Sequence, residues 1–94
     1  MGEYKVPTIS MFYGIVVSLY FYDNKQHNLP HIHVRYQGTK AIFNIDTSEM
    51  IEGDLPKKQQ KLVSAWMEIH HDELVADWEL AIVGETPYKI DPLK

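Results

Sequence analysis

The stretch "HIHVRYQGTKAIFNID" (residues 31–46) contains two runs in which apolar and polar residues alternate. Alternation with a period of two is typical of half-buried strands, because successive side chains of a strand point to opposite faces. Between the runs, Gly38 and Thr39 suit a two-residue type II′ turn, since glycine accepts the positive φ that the first position requires. The stretch therefore predicts an antiparallel hairpin with strands at 31–37 and 40–46.

The position of this turn also predicts the register of the hairpin. It places His33 opposite Asn44 and His31 opposite Asp46, with apolar pairs on the other face. A slip by one residue would mix apolar and polar side chains on each face, so the alternation disfavours it. Because cross-strand neighbours lie only about 4.5–5.5 Å apart at Cβ, we expect one polar patch of His31, His33, Arg35, Asn44 and Asp46.

The remaining elements follow from composition and periodicity. β-Branched and aromatic residues favour a central strand before the hairpin. The apolar stripes of two later helical segments point about 130° apart, so we place a break near His70–Asp72. The predicted fold class is α+β, a three- to four-stranded antiparallel β-meander packed on two C-terminal helices. Its elements, all in one domain (1–94), are strands at about 14–23, 31–37 and 40–46, an optional strand at 49–52, helices at about 56–70 and 72–83, and an extended tail at 85–94.

Composition narrows the functional classes. The chain has 94 residues, a net charge of −4 and no cysteine, which excludes disulfides and thiolate metal sites. No apolar run approaches the roughly 20 residues of a membrane span, and the start has no signal-peptide core, so we expect a cytoplasmic protein without membrane contact. Residues 1–45 carry four basic and two acidic residues, whereas 46–94 carry five and eleven. Nucleic acid is therefore not the favoured partner, although the first half has room for a local anion site.

Three histidines lie within seven positions, namely His27, His31 and His33. The plainest interpretation is a solvated polar face, which is normal in an antiparallel sheet. A second interpretation is a metal site, because zinc accepts three such ligands and keeps a fourth position open. In that case Asp46 is an alternative to His27 as the third ligand. Apart from this zinc, we expect no cofactor.

A third interpretation is metal-free acid–base catalysis on a phosphodiester. One of His31 and His33 would act as the base and the other as the acid, while Arg35 or Lys40 would stabilise the developing charge. Asp46 would fix the tautomer of His31 from across the hairpin. Enzymatic function remains the less favoured interpretation, because the chain lacks a broad basic surface for such a substrate.

A basic cluster opens the first predicted helix, where Lys57, Lys58 and Lys61 follow Pro56. Positive charges at a helix N-terminus oppose the macrodipole, whereas the free N–H groups of the same turn attract anions. A solvated basic turn is the favoured interpretation, and contact of Lys57, Lys58 and Lys61 with an anion or an acidic partner is the alternative.

Four stretches of the chain together resemble one family. They are "PTISMFYGIVVSLYF" (7–21), "NLPHIHVRY" (28–36), "LPKKQQKLVSAW" (55–66) and "DWELA" (77–81). In them the chain resembles the bacterial family called domain of unknown function 4160, over roughly Pro7 to Leu93. The histidine stretch and the Leu-Pro-basic-basic helix start are the most specific parts, although Leu29 stands where members commonly have a second proline.

The resemblance implies a small bacterial protein whose family name records no activity. Members often look like partners of another small domain in two-gene, toxin–antitoxin-like arrangements. We therefore expect a binding or regulatory module that acts with a small protein encoded nearby, through the sheet edge or the Lys57–Lys61 turn. The alternative is a histidine-dependent nuclease or phosphodiesterase, and a histidine-based metal-binding module is the third hypothesis.

Overall fold

The computed structural model of the protein describes residues 7–21 and 29–94. The elements are β1 (Thr8–Phe12), β2 (Ile15–Ser18), β3 (His31–Tyr36), β4 (Thr39–Asn44), β5 (Glu49–Gly53), α1 (Lys57–Ile69) and α2 (His71–Ile82). The strands form one antiparallel sheet in the order β1-β2-β3-β4-β5, and the two helices follow it in the chain. The predicted α+β class is confirmed, but the predicted number of three to four strands was wrong, since the sheet has five.

The additional strand is β1, which the sequence pattern does not reveal. Its buried residues Ile9 and Phe12 are three positions apart, a spacing that a regular strand cannot place on one face. A bulge between Thr8 and Ser10 shifts the register against β2, and this allows both apolar side chains to reach the core. Because the bulge interrupts the period of two, the segment lacks the alternation by which a strand is recognised.

Strand β2 is shorter than the strand predicted at 14–23. Gly14, the first residue of the predicted strand, belongs to the turn after β1. Tyr22 and Asp23, its last two residues, lie outside the described part of the chain. Its expected apolar face is present, because Ile15, Val17 and Leu19 are fully buried. The strand predicted as optional at 49–52 corresponds to β5, which ends one residue later.

The turn of the β3–β4 hairpin differs from the predicted one. The two loop residues are Gln37 and Gly38, with φ of 44° and 83°. Positive φ at both positions is the requirement of a type I′ turn, whose twist matches that of the flanking strands. Thr39 instead begins β4, and its Oγ1 donates a hydrogen bond of 2.8 Å to the carbonyl oxygen of Tyr36.

This turn moves every cross-strand pair by two residues, so the predicted register was wrong. His31 pairs with Asn44 rather than Asp46, and His33 pairs with Ile42 rather than Asn44. A shift of two residues leaves each side chain on its original face, since side chains alternate with a period of two. Alternation alone therefore cannot distinguish the two registers.

The hydrophobic core lies between the helices and one face of the sheet, and both contribute side chains to it. Val63, Trp66 and Met67 of α1 are fully buried together with the inward-facing residues of the strands. The Trp66 ring lies 5.3 Å from that of Phe12, measured between centroids. Each large apolar side chain buried in this way stabilises the fold by about 1.5–3 kcal/mol. The core therefore ties β1, the element that the sequence pattern does not reveal, to α1.

His70 lies between the two helices, with φ of −108° and ψ of 27°. The bounds of α1 and α2 differ by one residue at each end from the helices predicted at 56–70 and 72–83. In the described part of the chain, neither helix combines the length and the apolar character needed to cross a bilayer.

Hydrogen bonds attach the C-terminal tail to three elements. The indole N–H of Trp66 in α1 donates to the carbonyl oxygen of Asp91, and the N–H of Ile90 donates to that of Ile9 in β1, each at 2.8 Å. The N–H of Tyr88 donates to Oδ1 of Asp77 in α2 at 2.9 Å. The tail is thus an ordered part of the fold that links β1 to both helices.

Asp77 is a buried carboxylate, exposed to only 3%. Burial raises its pKa above the ordinary value of 3.8, the Tyr88 N–H lowers it, and the charge of Glu73 raises it further. Its Oδ2 is buried and has no hydrogen-bond partner among the described residues. The ionised form of Asp77 therefore costs free energy in the folded protein.

We predict that Asp77→Asn stabilises the protein relative to the wild type increasingly as the pH rises. The pKa of Asp77 is higher in the folded state than in the unfolded chain. The wild type therefore loses free energy of unfolding as the pH rises from about 3.8 through the raised pKa, whereas asparagine does not titrate and still accepts the Tyr88 N–H. Thermal melts at several pH values measure the difference, with the exposed Asp72→Asn as control. A difference in melting temperature that is constant with pH would contradict the prediction.

We predict that Gly53→Ala destabilises the protein more than Gly38→Ala. Both glycines have positive φ, 95° and 83°, so each substitution meets a similar strain of about 1–2 kcal/mol. A Cβ at Gly53 would also lie 2.2 Å from the backbone oxygen of Lys40, whereas one at Gly38 would meet nothing within 4 Å. Overpacking at Gly53 lowers the free energy of unfolding by about 1–3 kcal/mol more, the usual cost of such a clash. Chemical denaturation of the two variants measures the difference. Equal losses in the two variants would refute the close approach of β5 to β4.

Candidate functional site

The sheet face opposite the core, which we call the open face, carries a cleft of about 460 Å³. We call it the main cleft. Residues of all five strands line it, and its volume is within the range of sites that bind small ligands or peptide side chains. The residues with polar or charged side chains in its lining are Thr8, Ser18, Tyr20, His33, Arg35, Lys40 and Glu52.

His33 forms one wall of the main cleft together with Tyr20. The two rings are stacked, with centroids 4.3 Å apart and planes inclined by 10°. His33 is half-buried and pairs with Ser18 of β2 and Ile42 of β4. The stack fixes the orientation of the imidazole and presents an aromatic surface beside the apolar side chain of Ile42.

His31 occupies a different environment, although alternation places it on the same side of β3 as His33. It is fully buried, and its ring lies 5.1 Å from that of His33 and 5.1 Å from that of Trp78 in α2. Its Nδ1 lies 2.7 Å from the carbonyl oxygen of Leu29, so Nδ1 carries a proton and donates. His31 is therefore a packing residue at the end of the sheet, and His33 is the histidine that lines the cleft.

Arg35 and Lys40 form a directly opposite cross-strand pair on the open face. Both side chains are exposed, and neither forms an ion pair within the described residues. Like charges directly opposite each other in a sheet are destabilising, by a few tenths to about 1 kcal/mol. The main cleft therefore holds two adjacent cations without an ion pair to the described residues, and its lining also includes the carboxylate of Glu52.

Asp46 does not occupy the position predicted for it. It is exposed in the turn after β4, where its N–H donates to Oδ1 of Asn44 at 2.7 Å. Asn44, the residue that pairs with His31, also accepts the N–H of Thr47 at 3.4 Å. Since the tautomer of His31 is set by Leu29, the orienting role expected for Asp46 is not supported by this geometry.

The proposed metal site involves His27, which lies outside the described residues. Within residues 7–21 and 29–94, no group of three His, Asp or Glu side chains is arranged to hold a metal ion. The zinc hypothesis for His27, His31 and His33 thus stays a prediction.

The basic cluster of Lys57, Lys58 and Lys61 lies in the first turn of α1, and all three side chains are exposed. Pro56 is the N-cap residue and gives no side-chain cap, and the first turn has no acidic residue. None of these lysines lines the main cleft. The basic cluster therefore lies outside the main cleft, which Arg35 and Lys40 line.

The sequence pattern suggested Lys40 only as an alternative to Arg35 and indicated no site role for Tyr20 or Ile42. In the type I′ register Lys40 pairs with Arg35, and Ile42 pairs with His33. A search over both two-residue turns that contain Gly38 could have found this arrangement. No local sequence pattern predicts the contact between Tyr20 and His33, because Tyr20 lies two residues after β2 and His33 lies in β3.

We predict that His31→Ala lowers the melting temperature markedly and His33→Ala only slightly. Removing the buried His31 ring leaves a cavity against Trp78 and an unpaired Leu29 carbonyl, which together cost about 2–4 kcal/mol. Removing His33 loses a half-exposed stack worth about 0.5–1.5 kcal/mol. Thermal melts of the two variants test the contrast, and a larger loss for His33→Ala would contradict it.

No curated protein and no solved structure matches this chain. One family does match, described as Domain of unknown function (DUF4160), over residues 14–79. The matched region begins at the turn before β2 and ends within α2, so it includes the β3–β4 hairpin, both cations of the main cleft and the basic turn of α1. The chain belongs to the family Domain of unknown function (DUF4160).

Proposed function

We propose that this protein is a cytoplasmic bacterial binding module that acts with a protein partner, and that the partner binds the open face at the main cleft. The observation that carries the proposal is the pairing of Arg35 with Lys40. Such a pair reduces the stability of the isolated sheet, and an anionic group from a partner would reverse that cost. The toxin–antitoxin-like gene arrangement implied by the family resemblance supplies a candidate partner, the small protein encoded nearby.

Binding accounts for the geometry better than catalysis does. The acid–base hypothesis for His31 and His33 needs both histidines to reach one ligand, and His31 is fully buried whereas His33 lines the cleft. Within the described residues, His33 is therefore the imidazole that lines the cleft with Arg35 and Lys40. That set can bind an anion, and His31 is not placed to act as its second proton-transfer group.

Charge also favours a protein partner over a nucleic acid. The chain has a net charge of −4, and the main cleft holds Glu52 as well as its two cations. Nucleic-acid sites usually combine several phosphate contacts with a broad basic surface. Two adjacent cations suit one or two acidic side chains of a protein instead.

We predict that Arg35→Glu with Lys40→Glu abolishes co-purification with the protein encoded by the neighbouring gene. The double variant keeps like charges opposite each other, so its effect on folding is small. Loss of two charge-assisted contacts should weaken binding roughly 10- to 100-fold or more. The affinity of purified proteins, measured by calorimetry, gives the magnitude.

Lys57→Glu with Lys58→Glu is the matched control, because it changes the net charge by the same amount outside the main cleft. We expect this variant to bind like the wild type. If it loses binding while the Arg35 and Lys40 variant keeps it, the interface lies at the Lys57–Lys61 turn. If the wild type itself does not bind the neighbouring protein, the partner proposal is wrong.

A further inference from the structure

A second cleft adjoins the main cleft at the β3–β4 turn. It has a volume of about 300 Å³, and Val16, Tyr36 and Gly38 are among its lining residues. We call it the turn cleft. Arg35 and Lys40 line both clefts, so the two cations stand where the clefts meet.

From this arrangement we infer that the open face binds an extended acidic segment of the partner protein. A carboxylate of the segment lies between Arg35 and Lys40, and its flanking residues occupy the main cleft and the turn cleft. This inference rests on the proposed function and specifies the ligand chemistry of the same site.

The backbone around the two cations favours a carboxylate over a phosphate. Phosphate sites in proteins usually draw on free backbone N–H groups, at a helix N-terminus or in a glycine-rich loop. Arg35 and Lys40 lie instead on β3 and β4, each of which is paired on both sides in the sheet. Arg35 is paired with both neighbouring strands, and the carbonyl oxygen of Lys40 accepts the N–H of Asp54 at 3.1 Å. Since neither residue belongs to a helix N-terminus or a glycine-rich loop, we expect their side chains to bind the anion. A carboxylate, with one charge and two oxygens, is satisfied by such a pair of cations.

The neighbourhood of the cations indicates what flanks the carboxylate. On the side of the main cleft, the stacked rings of Tyr20 and His33 and the side chain of Ile42 offer aromatic and apolar contacts. A large apolar residue near the acidic residue would bury its surface there. A segment that runs from the turn cleft into the main cleft follows β3 and β4, which are six residues long each, and six extended residues span about 20 Å.

The test is a titration of the ¹⁵N-labelled full-length protein, followed by amide chemical shifts. Two blocked peptides of about eight residues are used, and both have a phenylalanine near the central residue. The central residue is glutamate in one peptide and glutamine in the other. We expect the glutamate peptide to shift the amides around Arg35 and Lys40 and the glutamine peptide to bind at least about tenfold more weakly. Arg35→Gln with Lys40→Gln should remove that difference, whereas Lys57→Gln with Lys58→Gln should keep it.

Further probes separate this inference from its competitors. An oligothymidylate of about eight nucleotides that binds more tightly than the glutamate peptide would overturn the inference in favour of nucleic acid. Equal binding of the two peptides, shifts confined to α1, or no shifts at millimolar peptide would also overturn it. Since co-purification with the neighbouring protein is a separate measurement, the proposed function can survive a failure of the peptide experiment, and the two outcomes are distinguishable.

Discussion

The pairing of β3 with β4 is the constraint on which the rest of the structure depends. The type I′ turn at Gln37 and Gly38 fixes this register. It aligns Ile32 with Phe43 in the core and Arg35 with Lys40 on the open face. Burial of each large apolar side chain is worth about 1.5–3 kcal/mol, whereas opposed like charges cost at most about 1 kcal/mol. The fold therefore tolerates the unfavourable charge pair, and burial of the core face alone does not select this register, because a shift of two residues leaves the same side chains in the core.

The sequence predicts the faces of the strands well and their register poorly, for a physical reason. Alternation reports which side of the sheet a residue occupies, and it is unchanged by a shift of two residues. Gly38 can serve as the first residue of a type II′ turn or the second residue of a type I′ turn. The choice depends on packing between strands, which no local pattern contains. Strand β1 was missed for a related reason, because the bulge at Ile9 breaks the alternation.

The candidate site was predictable only in part. The polar patch on β3 was found from alternation, and His33 and Arg35 do line the main cleft. His31 shares their side of the strand but is covered by Trp78, more than forty positions later in the chain. Periodicity cannot show which end of a strand a distant helix will cover. A histidine pair two residues apart can thus combine one packing residue with one surface residue.

The two faces of the sheet are subject to different physical constraints. Residues of the core face determine stability, whereas residues of the open face are available for function. Core residues are held by packing, and a change there alters stability whatever the protein binds. The open face contributes little to packing, so an arrangement that weakens the sheet there needs another explanation. Both Arg35 and Lys40 lie in the region that matches the family, whereas β1 and the C-terminal tail lie outside it. An activity common to the family would have to reside within the matched region. There the pair of Arg35 and Lys40, which forms no ion pair within the described residues, is a feature that folding alone does not explain.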